Sequence, residues 1–228
     1  MHVEIWSDIA CPWCYIGKRR FESALAGFEH RDEVLVTWRS FQLDPEAPRE
    51  REGDRATHLA EKYAMSHGQA VGMLDHMTEV AAGEGLDFRI DIARAGNTFD
   101  AHRLVHLAQE HDRQDAMKER LLGAYLGEGA LMADRPALER LAAEVGLPQT
   151  EVQELLEGDR YAADVREDED TAAALGISAV PFFVVDRHFG ASGAQSPEIL
   201  GKLLERAWAA RSPLSVMAQG DSCGPDGC

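Results

Sequence analysis

The sequence predicts an α/β protein in which a small mixed domain is interrupted by a block of helices. Short runs rich in β-branched and aromatic residues lie near both ends of the chain, at 3–6, 34–38 and 177–191. Between them, apolar residues recur every three or four positions, as on one face of a helix. We therefore divide the chain into the mixed domain at 1–48, the helical insertion at 49–175, the rest of the mixed domain at 176–211 and a tail at 212–228.

The composition of the 228 residues is that of a globular protein, with 45% hydrophobic and 28% charged residues. The formal net charge of −17 argues against nucleic acid and against anionic membranes as partners. No apolar run approaches the ~20 residues that a membrane span needs. Residues 1–6 lack the basic and apolar segments of a secretory signal. We therefore expect a cytoplasmic protein, in which paired cysteines are usually catalytic or metal-binding.

The first predicted strand and the first predicted helix meet at a pair of cysteines. Residues 3–6 (VEIW) predict the strand, and Cys11, Pro12 and Cys14 open the helix. A Cys-x-x-Cys turn between a strand and a helix is typical of thiol–disulfide redox sites. The free N–H groups and the dipole of the first helical turn favour a thiolate, which is the reactive form of cysteine. Pro12 suits this turn because its missing N–H would have no helical partner.

The positions of the two cysteines assign their roles. Cys11 lies at the end of the helix and is expected to be the more exposed thiol, so it is the predicted nucleophile. Cys14 lies one turn into the helix, on its apolar face, and is the predicted resolving thiol that closes the intramolecular disulfide. Glu4 on the first strand is a candidate to carry the proton of Cys14, although strand alternation does not tell which way its side chain points.

The middle of the chain is predicted to be helical. Residues 34–38 (VLVTW) predict a second strand, which the segment 44–48 (DPEAP) ends, and 49–55 is a charged, exposed connection. Apolar residues spaced three and four apart then indicate six helices, around residues 70–81, 97–108, 117–125, 134–145, 152–156 and 161–175.

The C-terminal part returns to strands. Pro181 heads an apolar run to residue 186, and residues 188–191 (HFGA) predict a further short strand. Asp186 and Arg187 between the two strands fit a tight hairpin turn. Ser196 then begins a final amphipathic helix, and the tail that follows, rich in Gly, Ser, Asp and Pro, is expected to be mobile.

Three segments resemble the DsbA family of oxidoreductases, and most of all its cytoplasmic FrnE-like branch. They are residues 11–18 (CPWCYIGK), 97–104 (NTFDAHRL) and 179–182 (AVPF), and the likeness extends from residue 1 to about 210. The resemblance implies a thioredoxin fold interrupted by an all-helical insertion domain. It also implies that Pro181 is cis and lies beside Cys11, which leaves the backbone of Val180 free to pair with an extended substrate peptide.

The substrate is then expected to contact Pro12, Trp13, Val180 and Pro181, together with Asn97 and His102 if these line the cleft between the two parts of the protein. The simpler interpretation of Asn97 is a helix cap, which we prefer slightly. His102 and His106 are spaced to hold a metal ion, but no third ligand accompanies them, so a solvated or groove-facing pair is expected and no metal or cofactor is predicted.

The second cysteine pair, Cys223 and Cys228, flanks a turn-forming tetrapeptide (GPDG) in the tail. The pair could form a disulfide and relay electrons to or from Cys11 and Cys14. A structural disulfide or two idle thiols are the alternatives. The four cysteines could instead bind zinc, although zinc sites are rarely found at a strand–helix junction.

The residues thus predict a dithiol–disulfide oxidoreductase or isomerase that acts on disulfide-containing proteins or small thiol substrates. Glutathione or a thioredoxin-like reductant would be its redox partner. One alternative is a glutathione-dependent isomerase of small aromatic acids, but members of the family with that activity carry serine where this chain has Cys11. The other alternative is a zinc-binding, chaperone-like module built on all four cysteines.

Overall fold

Residues 1–211 are described by the computed structural model, and they form a four-stranded mixed sheet and nine α-helices. None of these helices is long and apolar enough to cross a membrane. The tail at 212–228, and with it Cys223 and Cys228, lies outside the described residues. In chain order the elements are β1 (His2–Ser7), α1 (Pro12–Ala26), a 3₁₀ turn (Arg31–Glu33), β2 (Leu35–Ser40), α2 (Arg55–Lys62), α3 (His67–Gly83), α4 (Phe99–Glu110), α5 (Gln114–Gly127), α6 (Arg135–Glu144), α7 (Gln149–Glu157), α8 (Ala162–Ala174), β3 (Phe182–Val185), β4 (Phe189–Ser192) and α9 (Pro197–Ala209).

The sheet joins strands from both ends of the chain in the order β2-β1-β3-β4. β1 pairs in parallel with β2, so that Val3 lies opposite Val36, and antiparallel with β3, so that Val3 also lies opposite Val185. β3 pairs antiparallel with β4. Since β1 and β3 are neighbours in the sheet but about 180 positions apart in the chain, the helices α2 to α8 form an insertion. The predicted fold class is confirmed.

The two faces of the sheet are covered by different helices. Val3 and Ile5 of β1 belong to the main apolar cluster, which includes residues of α1 and α9. Trp6 points to the opposite face and packs with Ala172 of α8 and with Ile177. This alternation along β1 follows from the two-residue repeat of a strand. It places α1, with its two cysteines, on one face only.

The insertion shares one apolar core with the sheet. The main cluster runs without a break from the sheet through α1 into the helices α4 to α7, and its fully or nearly fully buried members include Ile5, Ile16, Leu104, Leu121, Leu141 and Leu155. Burial of such side chains stabilises a fold by roughly 1.5–3 kcal/mol each. The helical insertion and the sheet therefore both contribute to the apolar packing around α1.

The structure differs from the sequence prediction at α2 and at the bounds of several strands, including β2. α2 was not predicted; it is eight residues long, and its N-cap Asp54 accepts a hydrogen bond from the N–H of Thr57. β2 begins and ends later than predicted, since it continues to Ser40. The hairpin turn is confirmed: Asp186 and Arg187 both have positive φ, which this type of turn requires.

Gly17 of α1 faces the loop before β3. A Cβ atom added at Gly17 would lie 2.8 Å from Cγ of Pro181, closer than packed carbon atoms approach. The absence of a side chain at this position thus allows the Pro181 loop to pack directly on α1, in the turn that follows Cys14.

We predict that Gly17→Ala lowers the free energy of unfolding by about 1–3 kcal/mol, because the added methyl group forces Pro181 away from α1. Gly201→Ala in α9 is the matched control, since a Cβ atom there has nothing within 4 Å. The control should gain about 0.5–1 kcal/mol from the better helix propensity of alanine. Urea denaturation measures both, and equal stability changes would contradict the proposed contact.

Candidate active site

The two cysteines lie where β1 leads into α1. Cys11 is the N-cap residue of α1, with an extended backbone, and Cys14 lies one turn into the helix. The N–H of Cys14 donates to the carbonyl oxygen of Cys11 at 3.0 Å. Both thiols are free, and both residues are buried, at 5% exposure for Cys11 and 0% for Cys14. Only Cys11 therefore offers its sulfur to an incoming disulfide.

The surroundings shift the pKa values of the two thiols in opposite directions. A hydrogen bond from the Cys14 thiol lowers the pKa of Cys11, and the backbone N–H groups of Trp13 and Cys14 act in the same direction. Burial and the negative charge of Asp8 oppose this shift without outweighing it. For Cys14, burial and the neighbouring Cys11 raise the pKa well above the usual value of a thiol. A thiolate thus forms readily at Cys11, while Cys14 keeps its proton.

The loop before β3 lies across from Cys11. The sulfur of Cys11 is 3.7 Å from the carbonyl oxygen of Val180, and the peptide bond between Val180 and Pro181 is cis, as the resemblance implied. Pro12 is buried at the first position of α1, and Trp13 is partly buried against the main cluster. The structure therefore places the backbone of Val180 beside the Cys11 sulfur, and substrate contact by Pro12, Trp13, Val180 and Pro181 stays a prediction.

A buried carboxylate, Asp8, underlies the turn between β1 and α1. One of its oxygens accepts hydrogen bonds from Ala10 N at 3.3 Å and from Thr98 Oγ1 at 3.0 Å. Leu43 N donates to the other oxygen at 2.9 Å. His102 Nε2 lies 3.3 Å from the first oxygen. Since Asp8 is 2% exposed, these bonds replace the water that its charge would otherwise require.

In the pair formed by Asp8 and His102, only Asp8 is charged. Burial works against ionisation of Asp8, but the hydrogen bonds from His102, Leu43 N and Ala10 N outweigh it and lower the pKa of Asp8. Burial also lowers the pKa of His102, although Asp8 opposes that shift. His102 is therefore neutral at neutral pH, and because a carboxylate only accepts hydrogen bonds, the proton of the ring is on Nε2.

The prediction of a solvated histidine pair was wrong, although His106 lines a surface pocket together with Arg39 and Arg187. His102 is 1% exposed and His106 is 8% exposed, because α4 packs against α5, α7 and α8. His106 Nε2 lies 3.0 Å from Ser40 Oγ and 3.2 Å from Asp168 Oδ2, so each histidine contacts its own carboxylate. Among residues 1–211, no group of three or more His, Cys, Asp or Glu side chains is arranged to hold a metal ion.

Asn97 does cap α4, although it precedes the N-cap residue Thr98. Its side-chain oxygen accepts the N–H of Phe99 at 2.8 Å, and its amide donates to the carbonyl oxygens of Pro45 and Ala47 at 3.2 Å each. Asn97 thereby ties α4 to the chain that follows β2. Substrate binding by Asn97 and by the buried His102 stays a prediction.

Lys118 of α5 is a member of the site that the sequence analysis missed. The side chain is completely buried, and its ammonium donates to the carbonyl oxygen of Ser7 at 3.0 Å, at the end of β1. Burial lowers the pKa of Lys118 to about 8, against the attraction of Cys14 and Asp8. The available signal was its spacing, because Lys118 shares one face of α5 with the buried Leu122 and Tyr125.

Glu4 does not reach the cysteines. It lies on the same face of the sheet as Trp6, opposite α1, and its carboxylate pairs with Arg39 at 2.7 Å and with Arg187. Burial opposes ionisation of Glu4, but the hydrogen bonds from Arg187 and Arg39 lower its pKa. The idea that Glu4 carries the proton of Cys14 was therefore wrong; Lys118 and Asp8 are the titratable groups on that side.

Known proteins share this fold and, in part, this sequence. The family model of the DSBA-like thioredoxin domain matches residues 2–205. The crystal structure of a probable DsbA oxidoreductase of Streptomyces coelicolor superposes with a TM-score of 0.93 at 46% sequence identity, covering 100% of this chain and 98% of that one.

Two more distant structures share the fold alone. A cytosolic disulfide reductase, DsbM of Pseudomonas aeruginosa, has a TM-score of 0.65 at 19% identity, covering 92% of this chain and 100% of that one. A 2-hydroxychromene-2-carboxylate isomerase has a TM-score of 0.67 at 14% identity, covering 90% and 95%. The same architecture thus occurs in proteins named for a redox reaction and for an isomerisation.

We predict that the pKa of Cys11 is below ~8.5, the value of a free thiol, in Cys14→Ser protein and higher in Cys14→Ala protein. Serine keeps a side-chain donor beside the Cys11 thiolate, whereas alanine removes it. Ultraviolet absorbance of the thiolate, followed against pH with Cys223 and Cys228 replaced by serine, gives both values. Identical pKa values in the two variants would show that the hydrogen bond from Cys14 is not the main cause of the shift.

We also predict that Asp8 makes stability depend on pH in acid. The pKa of Asp8 is lowered by folding, so its contribution is present above about pH 4, the unfolded value, and is lost as the pH falls through the folded value. Asp8→Asn should cost about 1–3 kcal/mol at pH 7 and progressively less toward pH 2. Denaturation curves at several pH values measure this difference.

Asp32→Asn is the control for Asp8→Asn, because the side chain of Asp32 is 94% exposed. It should change stability by less than about 0.5 kcal/mol at every pH. A constant gap between wild type and Asp8→Asn over the whole acid range would contradict the assignment of a charged Asp8.

Proposed function

Because the chain belongs to the family of DSBA-like thioredoxin domains, we propose that it is a dithiol–disulfide oxidoreductase that reacts through Cys11 and Cys14. The observation that supports this most directly is the opposite shift of two adjacent buried thiols, with the pKa of Cys11 lowered and that of Cys14 raised. Two-step exchange requires one ready thiolate and one thiol that stays protonated until it is needed. The S. coelicolor relative carries the name of a probable oxidoreductase.

The proposed reaction has two steps. The Cys11 thiolate attacks one sulfur of a substrate disulfide, so that a mixed disulfide forms and the other substrate sulfur leaves as a thiolate. Cys14 then attacks the Cys11 sulfur, the bond to the substrate breaks, and the substrate takes up the electron pair. The two cysteines are thereby oxidised to a disulfide, and the substrate is reduced to two thiols. The reverse sequence oxidises a substrate dithiol.

The loop at Val180 would present the substrate. Its carbonyl oxygen already lies 3.7 Å from the Cys11 sulfur, so a peptide paired with the backbone of Val180 would place a disulfide over that sulfur. The proposed substrates are disulfide-containing proteins or small disulfides, with glutathione or a thioredoxin-like protein as redox partner. We also propose that the protein isomerises disulfides, that it belongs to the FrnE-like branch of the family and that it is cytoplasmic.

The two alternatives are less well supported. The likeness to the isomerase is at 14% identity and concerns the fold, and an isomerisation leaves the paired thiols without a role. The zinc-binding module depends on Cys223 and Cys228, which lie outside the described residues. The proposed electron relay through Cys223 and Cys228 is likewise based on the sequence alone.

We predict that, with Cys223 and Cys228 replaced by serine, Cys11→Ser abolishes reduction of insulin by the protein with glutathione or dithiothreitol as reductant, because the remaining thiol, Cys14, is 0% exposed. Cys14→Ser should lose most of the turnover but accumulate a mixed disulfide between Cys11 and the substrate. Mass spectrometry of the quenched reaction detects this adduct. Full turnover of the Cys11→Ser variant, or loss of turnover in Cys14→Ser without any adduct, would overturn the assignment of roles.

A further inference from the structure

Arg55, the first residue of α2, lies beside the residue that precedes Cys11. Its Nη2 donates to the carbonyl oxygen of Ala10 at 3.0 Å, and its Nη1 donates to the hydroxyl oxygen of Tyr125 at 2.7 Å. The guanidinium also lies over the ring of Tyr125, with Cζ 5.5 Å from the ring centroid. These three contacts hold the positive charge of Arg55 at the start of α1.

The guanidinium is therefore close to the sulfur of Cys11. Because the carbonyl carbon of Ala10 is bonded to the nitrogen of Cys11, standard bond lengths leave at most ~9 Å between Nη2 of Arg55 and that sulfur. Ala10 and Arg55 are both partly exposed. A disulfide that approaches Cys11 can thus bring a group a few bonds away from its sulfur atoms into contact with Arg55.

Arg55 differs from the comparable arginines in its partners. Six arginines of residues 1–211 are buried or half-buried. Five of them pair with a carboxylate oxygen at 2.6–2.8 Å, namely Arg19, Arg20, Arg39, Arg103 and Arg120. Within the same residues, Arg55 donates to neutral acceptors alone, and its Nε is buried without a hydrogen-bond partner. Its charge is left without a counter-ion in this part of the chain.

A guanidinium without a carboxylate is unexpected in so acidic a chain, which has 40 Asp and Glu residues against 23 Lys and Arg. Asp8 adds a negative charge on the other side of Ala10, whose N–H donates to it at 3.3 Å. The net charge and Asp8 both disfavour an anion near Cys11. An anionic substrate therefore requires a positive group close to the sulfur, and Arg55 provides one.

We propose that Arg55 binds a carboxylate of the substrate that lies within a few bonds of the disulfide, so that the protein prefers anionic disulfides. The inference rests on the proposed function and names its substrate class. Two N–H groups of the guanidinium are used by Ala10 and Tyr125, and each of these two nitrogens has a second N–H left for the ligand. The planar, permanently charged group matches the geometry of a carboxylate.

A matched pair of small disulfides tests this preference. One is dithiobis(nitrobenzoic acid), which carries a carboxylate on each ring, and the other is its neutral bis-carboxamide. Both release a coloured thiolate when Cys11 attacks, in reduced full-length protein with Cys223 and Cys228 replaced by serine. The same two reactions with mercaptoethanol give the ratio of the two rates for a thiol without a protein around it.

In protein that keeps Arg55, the ratio of the carboxylate rate to the carboxamide rate should exceed the mercaptoethanol ratio by at least about threefold. A ratio equal to or below that of mercaptoethanol would overturn the inference without any substitution of Arg55. Reaction with neither disulfide would overturn the proposed function as well, so the two failures are distinguishable.

For Arg55→Met we expect the carboxylate disulfide to react about tenfold more slowly, because an ion pair with the substrate is lost, and the carboxamide to change by less than about threefold. Arg55→Glu should lower the ratio of the two rates further. Arg51→Met is the matched control, since it removes the same charge from the connection before α2, where Arg51 pairs with Asp44 at 2.6 Å. It should leave the ratio unchanged.

An unchanged ratio in Arg55→Met would overturn the inference. An equal loss of rate with both disulfides would also overturn it, because a purely structural role of Arg55 at Ala10 would slow both reactions alike.

Two mixed disulfides of a peptide with a coloured thiol distinguish the sources of the carboxylate. One peptide carries aspartate next to its cysteine, and the other carries asparagine. A faster reaction of the aspartate peptide, lost in Arg55→Met, would assign the carboxylate to a protein substrate, whereas equal rates would assign it to a small molecule. A faster reaction of the asparagine peptide would contradict the proposed preference.

Discussion

The buried carboxylate of Asp8 is the constraint on which the arrangement of the site depends. A charge with 2% exposure persists in a protein only where hydrogen-bond donors replace water. Those donors are Ala10 N in the turn before α1, Leu43 N after β2, and Thr98 and His102 at the start of α4. Three segments far apart in the chain must therefore meet at the end of β1, and their meeting joins the insertion to the sheet where α1 begins.

The negative charge of Asp8 also acts on the thiol of Cys11. Asp8 disfavours a thiolate at Cys11, so the stabilisation of that thiolate comes from the Cys14 thiol and from the N–H groups at the start of α1. Lys118 supplies the opposing charge from the insertion. The difference in acidity comes from the hydrogen bond between the two thiols and from the burial of Cys14, and Lys118 reduces it because its charge lowers the pKa of Cys14.

Local rules account for what the sequence predicted correctly. The Cys-x-x-Cys turn, the positive-φ hairpin at Asp186 and Arg187, and the start of α9 at Ser196 each depend on a few neighbouring residues. α2 was missed because it is short and only partly buried, with Ala56 as its one buried residue. Asp8 and Lys118 were missed because a polar residue in a turn or on a helix usually faces water, and only contacts with distant segments reveal its burial.

The insertion also determines when, during synthesis of the chain, the redox site can form. Cys11 and Cys14 are synthesised before the insertion, but β3, the neighbour of β1, follows the whole insertion. Val180 is synthesised just before β3. The nascent chain therefore contains both thiols long before the site around them is complete. Until then Cys11 lacks the Val180 carbonyl oxygen that faces its sulfur. The topology thus delays completion of the site until β3 has been synthesised and has paired with β1.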